Sequence, residues 1–444
     1  MTSLLILNAE IINENKRNFQ DIFIQNGRIE QIDSDLSTKQ ADKIIDASHK
    51  IIIPGMIDDQ VHFREPGLLN KGSIYTESRA AVAGGTTSFM EMPNVNPATL
   101  DSEQLQNKKN IAQKKSAANY AFYLGASNDN LEAIKSLNPN DACGIKVFMG
   151  ASTGNMLVDD PKILEQIFAN APTLVATHCE DTPTILKNEA IFTEKYGEDI
   201  PIRFHPDIRS EEACYLSSSF AVSLAQKHGT KLHVLHITTA KELELFNSAR
   251  HQDKQITAEV CVHHLSFDQT DYDTLGTQIK CNPAIKTQYD RQALMQAVLD
   301  NKLDIIATDH APHTWQEKQN TYLKAPSGLP LVQHALQMLL EFSVQQKMPL
   351  ETVVNKTSHA VADIFQIKER GYIREGYWAD LTIVNPNQPH IVKQDELFYQ
   401  CGWSPLTGKT FSHSIDSTIV SGQLAYHQGK ILDNIKGQPL EFNR

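Results

Sequence analysis

Gln60 and His62 stand two residues apart in the run Asp58-Asp59-Gln60-Val61-His62. In an extended strand such residues point to the same face, so both can approach one ion while Val61 points away. Imidazole nitrogen is a good ligand for a divalent ion such as Zn²⁺, and the neutral amide oxygen of Gln60 is a weaker one. The pattern predicts a metal-binding strand in which position 60 is the weak ligand.

Four further side chains of metal-binding or acid-base type lie in or next to short apolar segments later in the chain, namely Lys146, His178, His236 and Asp309. Zn²⁺ held by such groups lowers the pKa of bound water from about 15.7 to about 7 and so supplies hydroxide at neutral pH. Asp309 can both ligate an ion and carry a proton from the attacking hydroxide to a leaving amide nitrogen. The alternative for Asp309 is the N-cap of a following helix.

Lys146 lies in Gly144-Ile145-Lys146-Val147-Phe148-Met149, which is apolar on both sides. A free ammonium would be costly to bury there and would repel a nearby dication. Carboxylation by CO₂ would instead provide two oxygens that can bridge ions about 3.5 to 4 Å apart. We therefore expect N-carboxylated Lys146 to bridge one or two zinc ions, with a solvated or ion-paired lysine as the alternative.

Arg64 follows His62 by two residues, which predicts that it lies on the same strand face. From there its guanidinium can grip a substrate carboxylate through two parallel hydrogen bonds, and Asn94 and His313 can complete that grip. The alternative is an ion pair with Glu65 or Asp58. The expected partner is thus a small molecule that carries a carboxylate.

Eight short β-branched or aromatic segments alternate with helical patterns between residues 54 and 371, which favours a (β/α)₈ barrel. The active site of such a barrel lies at the C-terminal ends of its strands, where the candidate residues above would converge. The predicted strands are 56–63, 86–92, 120–126, 144–149, 173–178, 231–237, 256–263 and 303–309.

Both ends of the chain predict a second, smaller domain. Residues 1–53 alternate hydrophobic and polar side chains around the turn signal Asn26-Gly27. Near the other end of the chain, residues 371–373, 376–384 and 417–426 predict similar short strands. The two segments are expected to pair into one discontinuous β-sandwich. The fold class is therefore α/β, with a barrel at 54–371 and a sandwich from 1–53 plus 372–444.

Composition limits the classes of partner and location. With 41 basic and 53 acidic residues the formal charge is −12, and no basic run indicates a nucleic-acid surface. The six scattered cysteines form no Cys-x-x-Cys pair, and no apolar run approaches a membrane span. We expect a cytoplasmic protein that binds neither nucleic acid nor membrane, with a homodimer as the default assembly on general frequency.

The motifs together resemble those of dihydroorotases in the amidohydrolase superfamily, over nearly the whole chain. The resemblance implies metal binding by His62, Lys146, His178, His236 and Asp309, and substrate contacts by Arg64, Asn94, Asn282, His313, Ser327 and Gly328. This chain departs from the family pattern in two places. Gln60 stands where the family has a histidine, and Val262 stands where a proline commonly precedes two histidines. Those histidines, His263 and His264, are not assigned a metal role. The motifs are Asp58 to Gly67, Met92-Pro93-Asn94, Thr177 to Asp181, Leu235-His236, Cys281-Asn282-Pro283 and Thr308 to His313.

The resemblance implies the reversible interconversion of N-carbamoyl-L-aspartate and (S)-dihydroorotate in pyrimidine biosynthesis, through metal-bound hydroxide with Asp309 as proton shuttle. One alternative is a cyclic amidohydrolase of the hydantoinase or allantoinase type, whose substrates lack the carboxylate. Another is a noncatalytic partner of a pyrimidine-pathway enzyme, because Gln60 weakens one metal position. Retention of the other ligands and of the carboxylate grip argues against this second alternative.

Overall fold

The computed structural model describes residues 3–151 and 154–444, whose strands and helices alternate through the middle of the chain. The strands are β1 (Ser3–Asn13), β2 (Lys16–Gln25), β3 (Arg28–Asp33), β4 (Lys43–Asp46), β5 (Ile51–Pro54), β6 (Met56–Val61), β7 (Thr86–Glu91), β8 (Asn119–Phe122), β9 (Leu124–Gly125), β10 (Ile145–Phe148), β11 (Val175–His178), β12 (Leu232–Val234), β13 (Ile256–Cys261), β14 (Ile305–Ala307), β15 (Leu381–Asn385), β16 (His390–Ile391), β17 (Thr410–Phe411), β18 (Ser414–Val420), β19 (Gln423–His427) and β20 (Lys430–Ile431). The α-helices are α1 (Ile74–Ala83), α2 (Ser102–Lys115), α3 (Leu131–Lys135), α4 (Pro161–Asn170), α5 (Thr182–Tyr196), α6 (His205–Ile208), α7 (Glu211–His228), α8 (Val262–Ser266), α9 (Tyr272–Leu275), α10 (Gln288–Leu299), α11 (Trp315–Lys318), α12 (Ala335–Val344), α13 (Leu350–Val354) and α14 (Ala360–Ile364).

The strands from β6 to β14 pair in parallel and form the barrel. One sheet has the order β6-β7-β8 and a second has the order β14-β13-β12-β11-β10-β9. The two are joined by chain continuity between β8 and β9 and by a parallel bridge from Val61 to His310 beside β14. Because β8 and β9 together form one barrel strand, the eight predicted strands are all present and the predicted fold class is confirmed.

The helices between the barrel strands begin and end at residues that the sequence signals. Ser210 caps the N-terminus of α7 by accepting a hydrogen bond from the Ala213 amide, and Glu211 and Glu212 occupy its first turn. Gly229 ends the helix with φ of 72°, a left-handed conformation that glycine adopts without steric cost. Such local signals fix the helix limits, while burial of apolar side chains holds the helices against the barrel.

Strands from both ends of the chain share one nine-stranded sheet. Its order is β20-β19-β18-β15-β5-β1-β2-β3, with β4 also paired to β1. The predicted turn at Asn26-Gly27 joins β2 to β3, with positive φ at both residues (54° and 84°) as a two-residue hairpin turn requires. The domain limits 1–53, 54–371 and 372–444 stay a prediction.

The tail differs in detail from its predicted strands. Residues 371–373 and 376–380 are not in a strand, and the ladder with β5 begins at Leu381. The predicted strand over 417–426 is instead a hairpin, because Ser421 and Gly422 both have positive φ and reverse the chain. Apolar alternation marks the segment but does not reveal the turn inside it.

All six cysteines are free, and five of them are buried, as expected for small apolar side chains. Across 3–151 and 154–444, no helix combines the length and apolar character that a membrane crossing needs.

Candidate functional site

The end of β6 brings two of the predicted residues, Gln60 and His62, onto one carboxylate oxygen of a third, Asp309. Gln60 Nε2 donates to Asp309 Oδ1 at 3.2 Å, and His62 Nε2 lies 3.1 Å from the same oxygen. His62 Nδ1 lies 2.8 Å from Asn94 Oδ1, which holds the ring in place from its other side. Val61 is buried in the hydrophobic core. Gln60 and His62 thus reach the same group, as expected for alternate residues of a strand.

His178 and His236 form a second pair at the ends of β11 and β12. Their Nδ1 and Nε2 atoms lie 2.9 Å apart. His178 Nε2 contacts Glu180 Oε2 at 2.8 Å, and that carboxylate also accepts from Arg209 at 2.5 Å. Burial alone would raise the pKa of Glu180, but Arg209 and His178 lower it to about 2, so it stays ionised. His236 Nδ1 is buried without a hydrogen-bond partner in the described part of the chain.

Lys146 on β10 lies close enough for its charge to act on the residues of both pairs. It is only 1% exposed, and its Nζ lies 4.6 Å from the centre of the Phe148 ring. Burial lowers the pKa of Lys146 to about 8, against the raising effect of Asp309 and Glu259. Its charge in turn lowers the pKa of His62, His178 and His236, in each case after the larger effect of burial. No carboxylate among the described residues pairs with it, so the structure shows neither a solvated nor an ion-paired lysine.

Asp309 is not a helix cap. The next helix, α11, begins at Trp315 and is capped by Thr314, so that alternative is wrong. Burial would raise the pKa of Asp309, but the hydrogen bond and charge of His62 outweigh it and the net pKa is lowered. Asp309 and His236 have positive φ, 47° and 41°, which is strained for residues with a Cβ and is found most often at functional sites.

Arg64 lies beyond the end of β6, so strand alternation does not set the direction of its side chain as predicted. Strand β6 ends at Val61, and Arg64 has φ of 70°, so the chain turns before its side chain leaves the backbone. Its Nε donates to the Pro312 carbonyl at 3.0 Å, and its terminal nitrogen lies 3.1 Å from His313 Nε2. The alternative ion pairs are not formed: Glu65 pairs with Lys115.

The remaining predicted substrate residues differ in how well they are placed. His313 Nε2 lies 3.0 Å from the Ser327 carbonyl, so these two residues and Arg64 form one cluster. The Gly328 amide donates to the Lys280 carbonyl, so its N–H is already engaged. Asn282 makes no hydrogen bond to the other candidates in the described residues, and its buried Oδ1 has no partner there.

Two donor groups escaped the sequence-based assignment. Asp59, His233 and Glu259 bring possible ligand atoms within 4.8 Å of one another, and so do Cys261, His263 and His264. In the first group, burial opposes protonation of His233, but Asp59 and Glu259 raise its pKa to about 9. Glu259 also accepts a hydrogen bond from the His236 amide at 3.1 Å. The signal available in the sequence was the two-residue spacing of Glu259 and Cys261 on β13.

The sequence matches the Amidohydrolase family over residues 51–425. The chain belongs to this family. This amidohydrolase is 32% identical over 428 residues to a dihydroorotase of Methanosphaera stadtmanae, covering 96% of each protein. It is 30% identical over 445 residues to an allantoinase of Desulfitobacterium hafniense, covering 98% of each. Its fold matches L-hydantoinase of Arthrobacter aurescens with a TM-score of 0.93 at 23% identity, over 99% of this chain and 100% of that one.

The expectation of an amide-hydrolysing enzyme that resembles dihydroorotases is therefore confirmed at the level of the family. A divalent metal fits the donor types of this amidohydrolase, because imidazole and carboxylate groups form two pairs, His62 with Asp309 and His178 with His236. His236 Nδ1 also has no hydrogen-bond partner among the described residues.

Proposed function

We propose that the protein is a zinc-dependent dihydroorotase, which interconverts N-carbamoyl-L-aspartate and (S)-dihydroorotate in pyrimidine biosynthesis. The relative named dihydroorotase supports this choice, but the allantoinase relative is nearly as similar. The choice between them therefore depends on the charge of the substrate pocket.

The cluster of Arg64 and His313 is the observation that carries the proposal. Burial lowers the pKa of His313 well below its usual value, and the charges of Arg64, Lys71 and Lys318 lower it further. A neutral imidazole thus lies between two basic side chains, with the Arg64 terminal nitrogen 3.1 Å from its Nε2 and Lys71 Nζ 3.1 Å from its Nδ1. Lys71 also pairs with Glu317 at 2.9 Å, so Arg64, which pairs with no carboxylate among the described residues, is the cation that attracts an anion to this pocket. Dihydroorotate and carbamoyl aspartate offer the α-carboxylate that fits it, whereas hydantoin and allantoin do not.

The residues of the chain divide the reaction between them. Arg64, with Asn94 and His313, would hold the α-carboxylate and so fix the ring amide beside Asp309. Asp309, ionised at neutral pH because His62 lowers its pKa, would accept a proton from the nucleophilic water and deliver it to the departing amide nitrogen. In the other direction the same carboxyl group would return the proton as the ring closes.

Zinc, when bound, would supply Lewis-acid polarisation of the carbonyl and activation of water. His62, His178, His236, Asp309 and N-carboxylated Lys146 would hold it, with Gln60 as a weak further donor. The lowered pKa of Lys146 favours carboxylation, since only the neutral amine can add to CO₂. Intact-protein mass spectrometry with and without bicarbonate should show the added mass of one CO₂, and Lys146→Ala should not.

The test of the reaction compares substrates on purified protein supplied with zinc and bicarbonate. We expect turnover of dihydroorotate, and Arg64→Ala should lower kcat/KM for it by about a hundredfold, since losing a charge-assisted contact costs about 2 to 3 kcal/mol. Arg250→Ala removes an exposed arginine far from the site and serves as the matched control. Full turnover by Arg64→Ala would contradict the carboxylate grip.

Allantoinase or hydantoinase activity is the second candidate, favoured by the allantoinase relative. Faster turnover of allantoin or hydantoin than of dihydroorotate would establish it. No turnover of any of the three, with metal bound, would favour a noncatalytic partner. A cytoplasmic homodimer completes the proposal, and light scattering on the purified protein would test the assembly.

A further inference from the structure

Cys261, His263 and His264 form a compact group of soft donors at the end of β13 and the start of α8. Each can offer one ligand atom, and these atoms all lie within 4.8 Å of one another. All three side chains are buried, at 0%, 0% and 3% exposure. None of them is among the residues assigned above to the zinc centre around Lys146.

The two imidazoles have free nitrogen atoms inside the protein. His264 Nε2 contacts the Pro283 carbonyl at 3.1 Å, where it must donate its proton, so the lone pair is on Nδ1. That Nδ1 is buried without a partner in the described part of the chain. Both ring nitrogens of His263 are buried as well, and the Thr308 carbonyl, a weakly placed acceptor, is the one backbone group that acts on this ring among the described residues. A ring whose N–H is fixed by a backbone carbonyl, with its other nitrogen free, is the usual arrangement of a metal-ligating histidine.

Both rings are neutral, which is the form that binds metal. Burial lowers the pKa of His263 to about 4, and it lowers the pKa of His264 well below the usual value, with a further contribution from His263. Buried nitrogens without a partner destabilise the folded state, and a bound cation would remove that penalty.

The neighbours of Cys261 also suit a cation. The acceptors Gln60 Oε1 and Glu259 Oε1 each lie 3.8 Å from its Sγ. One sulfur and two imidazole nitrogens supply three of the four donors of a tetrahedral zinc-type site and leave one position for a further ligand.

We propose that Cys261, His263 and His264 bind a metal ion of their own. The ion is of the Zn²⁺ class, which accepts mixed sulfur and nitrogen ligands. Binding converts the Cys261 thiol to a thiolate and releases its proton to solvent. The site does not depend on the reaction proposed above.

Cobalt substitution tests this site separately from the centre around Lys146. Co²⁺ bound to a thiolate gives a strong charge-transfer absorption in the near ultraviolet, and the donors assigned around Lys146 include no sulfur. Metal-free wild-type protein titrated with Co²⁺ should therefore develop this band, with a final intensity that corresponds to one thiolate-bound ion per chain. Absence of the band from wild-type protein that has taken up excess Co²⁺ would overturn the proposal without any variant.

Variants locate the donors. Cys261→Ser should abolish the charge-transfer band, and His263→Gln or His264→Gln should weaken Co²⁺ binding, read from the same band, by at least about tenfold. Cys281→Ser is the matched control, because Cys281 is also buried and its Sγ lies 3.8 Å from His264 Nε2. It should keep the band. A band that survives in Cys261→Ser, or that disappears in Cys281→Ser, would contradict the assignment.

Discussion

In the proposed zinc centre, Gln60 is the weak donor to the ion nearest β6. Its side chain is buried and already directed at Asp309, so Gln60→His would place an imidazole beside two other donors. We expect the variant to retain zinc against a chelator at least about tenfold better than wild type, which corresponds to about 1.4 kcal/mol. Competition with a chromophoric chelator measures the difference.

The control for this prediction is Gln388→His, which adds an imidazole at an exposed position. It should bind zinc like wild type. Equal zinc retention by Gln60→His and wild type would show that position 60 does not contact the ion.

At the residue scale, the sequence predicted side chains on regular strands better than those beyond them. The alternation that brings Gln60 and His62 to Asp309 follows from strand geometry and was predictable. Arg64 was assigned to the right cluster for an incorrect reason, because its positive φ has no signature in the sequence. The group at Cys261 was missed, since free nitrogens on His263 and His264 depend on packing across the barrel rather than on spacing.

At the scale of elements, the barrel is closed between β6 and β14 by side chains as well as by backbone. Asp58 accepts hydrogen bonds from the Thr308 hydroxyl at 2.6 Å and from its amide at 3.2 Å. Thr308→Val removes the hydroxyl and leaves a buried carboxyl oxygen without its donor, which should lower the free energy of unfolding by about 1 to 3 kcal/mol. Urea denaturation measures this. The control is Thr274→Val, at an exposed helix position, which should lower the free energy of unfolding by less than about 0.5 kcal/mol. An equal loss in the two variants would show that the Asp58–Thr308 hydrogen bonds do not help to close the barrel.

Helix α12 contains a pH-sensitive position at its N-terminus. Burial, and secondarily the charge of His390, lowers the pKa of His334 to about 3, whereas the unfolded value is about 6.5. The unfolded chain therefore binds a proton that the folded chain rejects. The contribution of His334 to the free energy of unfolding should be complete above about pH 6.5. Below that pH, protonation of the unfolded chain should lower the free energy of unfolding by up to about 1.4 kcal/mol per pH unit.

His334→Asn should remove this part of the slope between pH 6.5 and 5, measured by denaturant unfolding at each pH. Asparagine also suits the cap position, so the variant need not be less stable at neutral pH. His49→Asn, on an exposed turn, should leave the slope as in wild type. If both variants keep the full slope, His334 is not the group responsible.

The elements of the barrel were predictable because each strand is a short apolar run between helical patterns. In the folded protein these segments keep the strand and helix assignments that their patterns predict. The strands of the C-terminal segment were harder to predict. The hairpin at Ser421-Gly422 and the strand that begins at Leu381 have the same apolar alternation that a single longer strand would have. Pairing partners, rather than propensity, decide where such strands begin and end.

At the scale of the whole molecule, one buried polar cluster joins the barrel to the nine-stranded sheet. Asp380 pairs with Arg370 and accepts hydrogen bonds from Asn119 Nδ2 at 2.9 Å and from the Ser421 amide at 2.7 Å. Asn119 opens barrel strand β8, and Ser421 lies in the turn between β18 and β19. Segments that are distant in sequence therefore depend on a single carboxylate, and the sheet formed from both ends of the chain cannot detach without exposing it.

This cluster predicts how strongly the two parts of the protein are coupled. Arg370→Leu leaves the Asp380 carboxylate buried without its cation and should lower the free energy of unfolding by about 3 to 5 kcal/mol. Arg374→Leu removes the same kind of partner from Glu14, but that pair is 40% and 42% exposed and should cost at most about 1 kcal/mol. The double variant Arg370→Leu with Asp380→Asn should recover part of the loss, because the unpaired charge is gone. Guanidinium unfolding compares the three proteins, and a loss in Arg370→Leu no larger than in Arg374→Leu would mean that the cluster does not hold the sheet to the barrel.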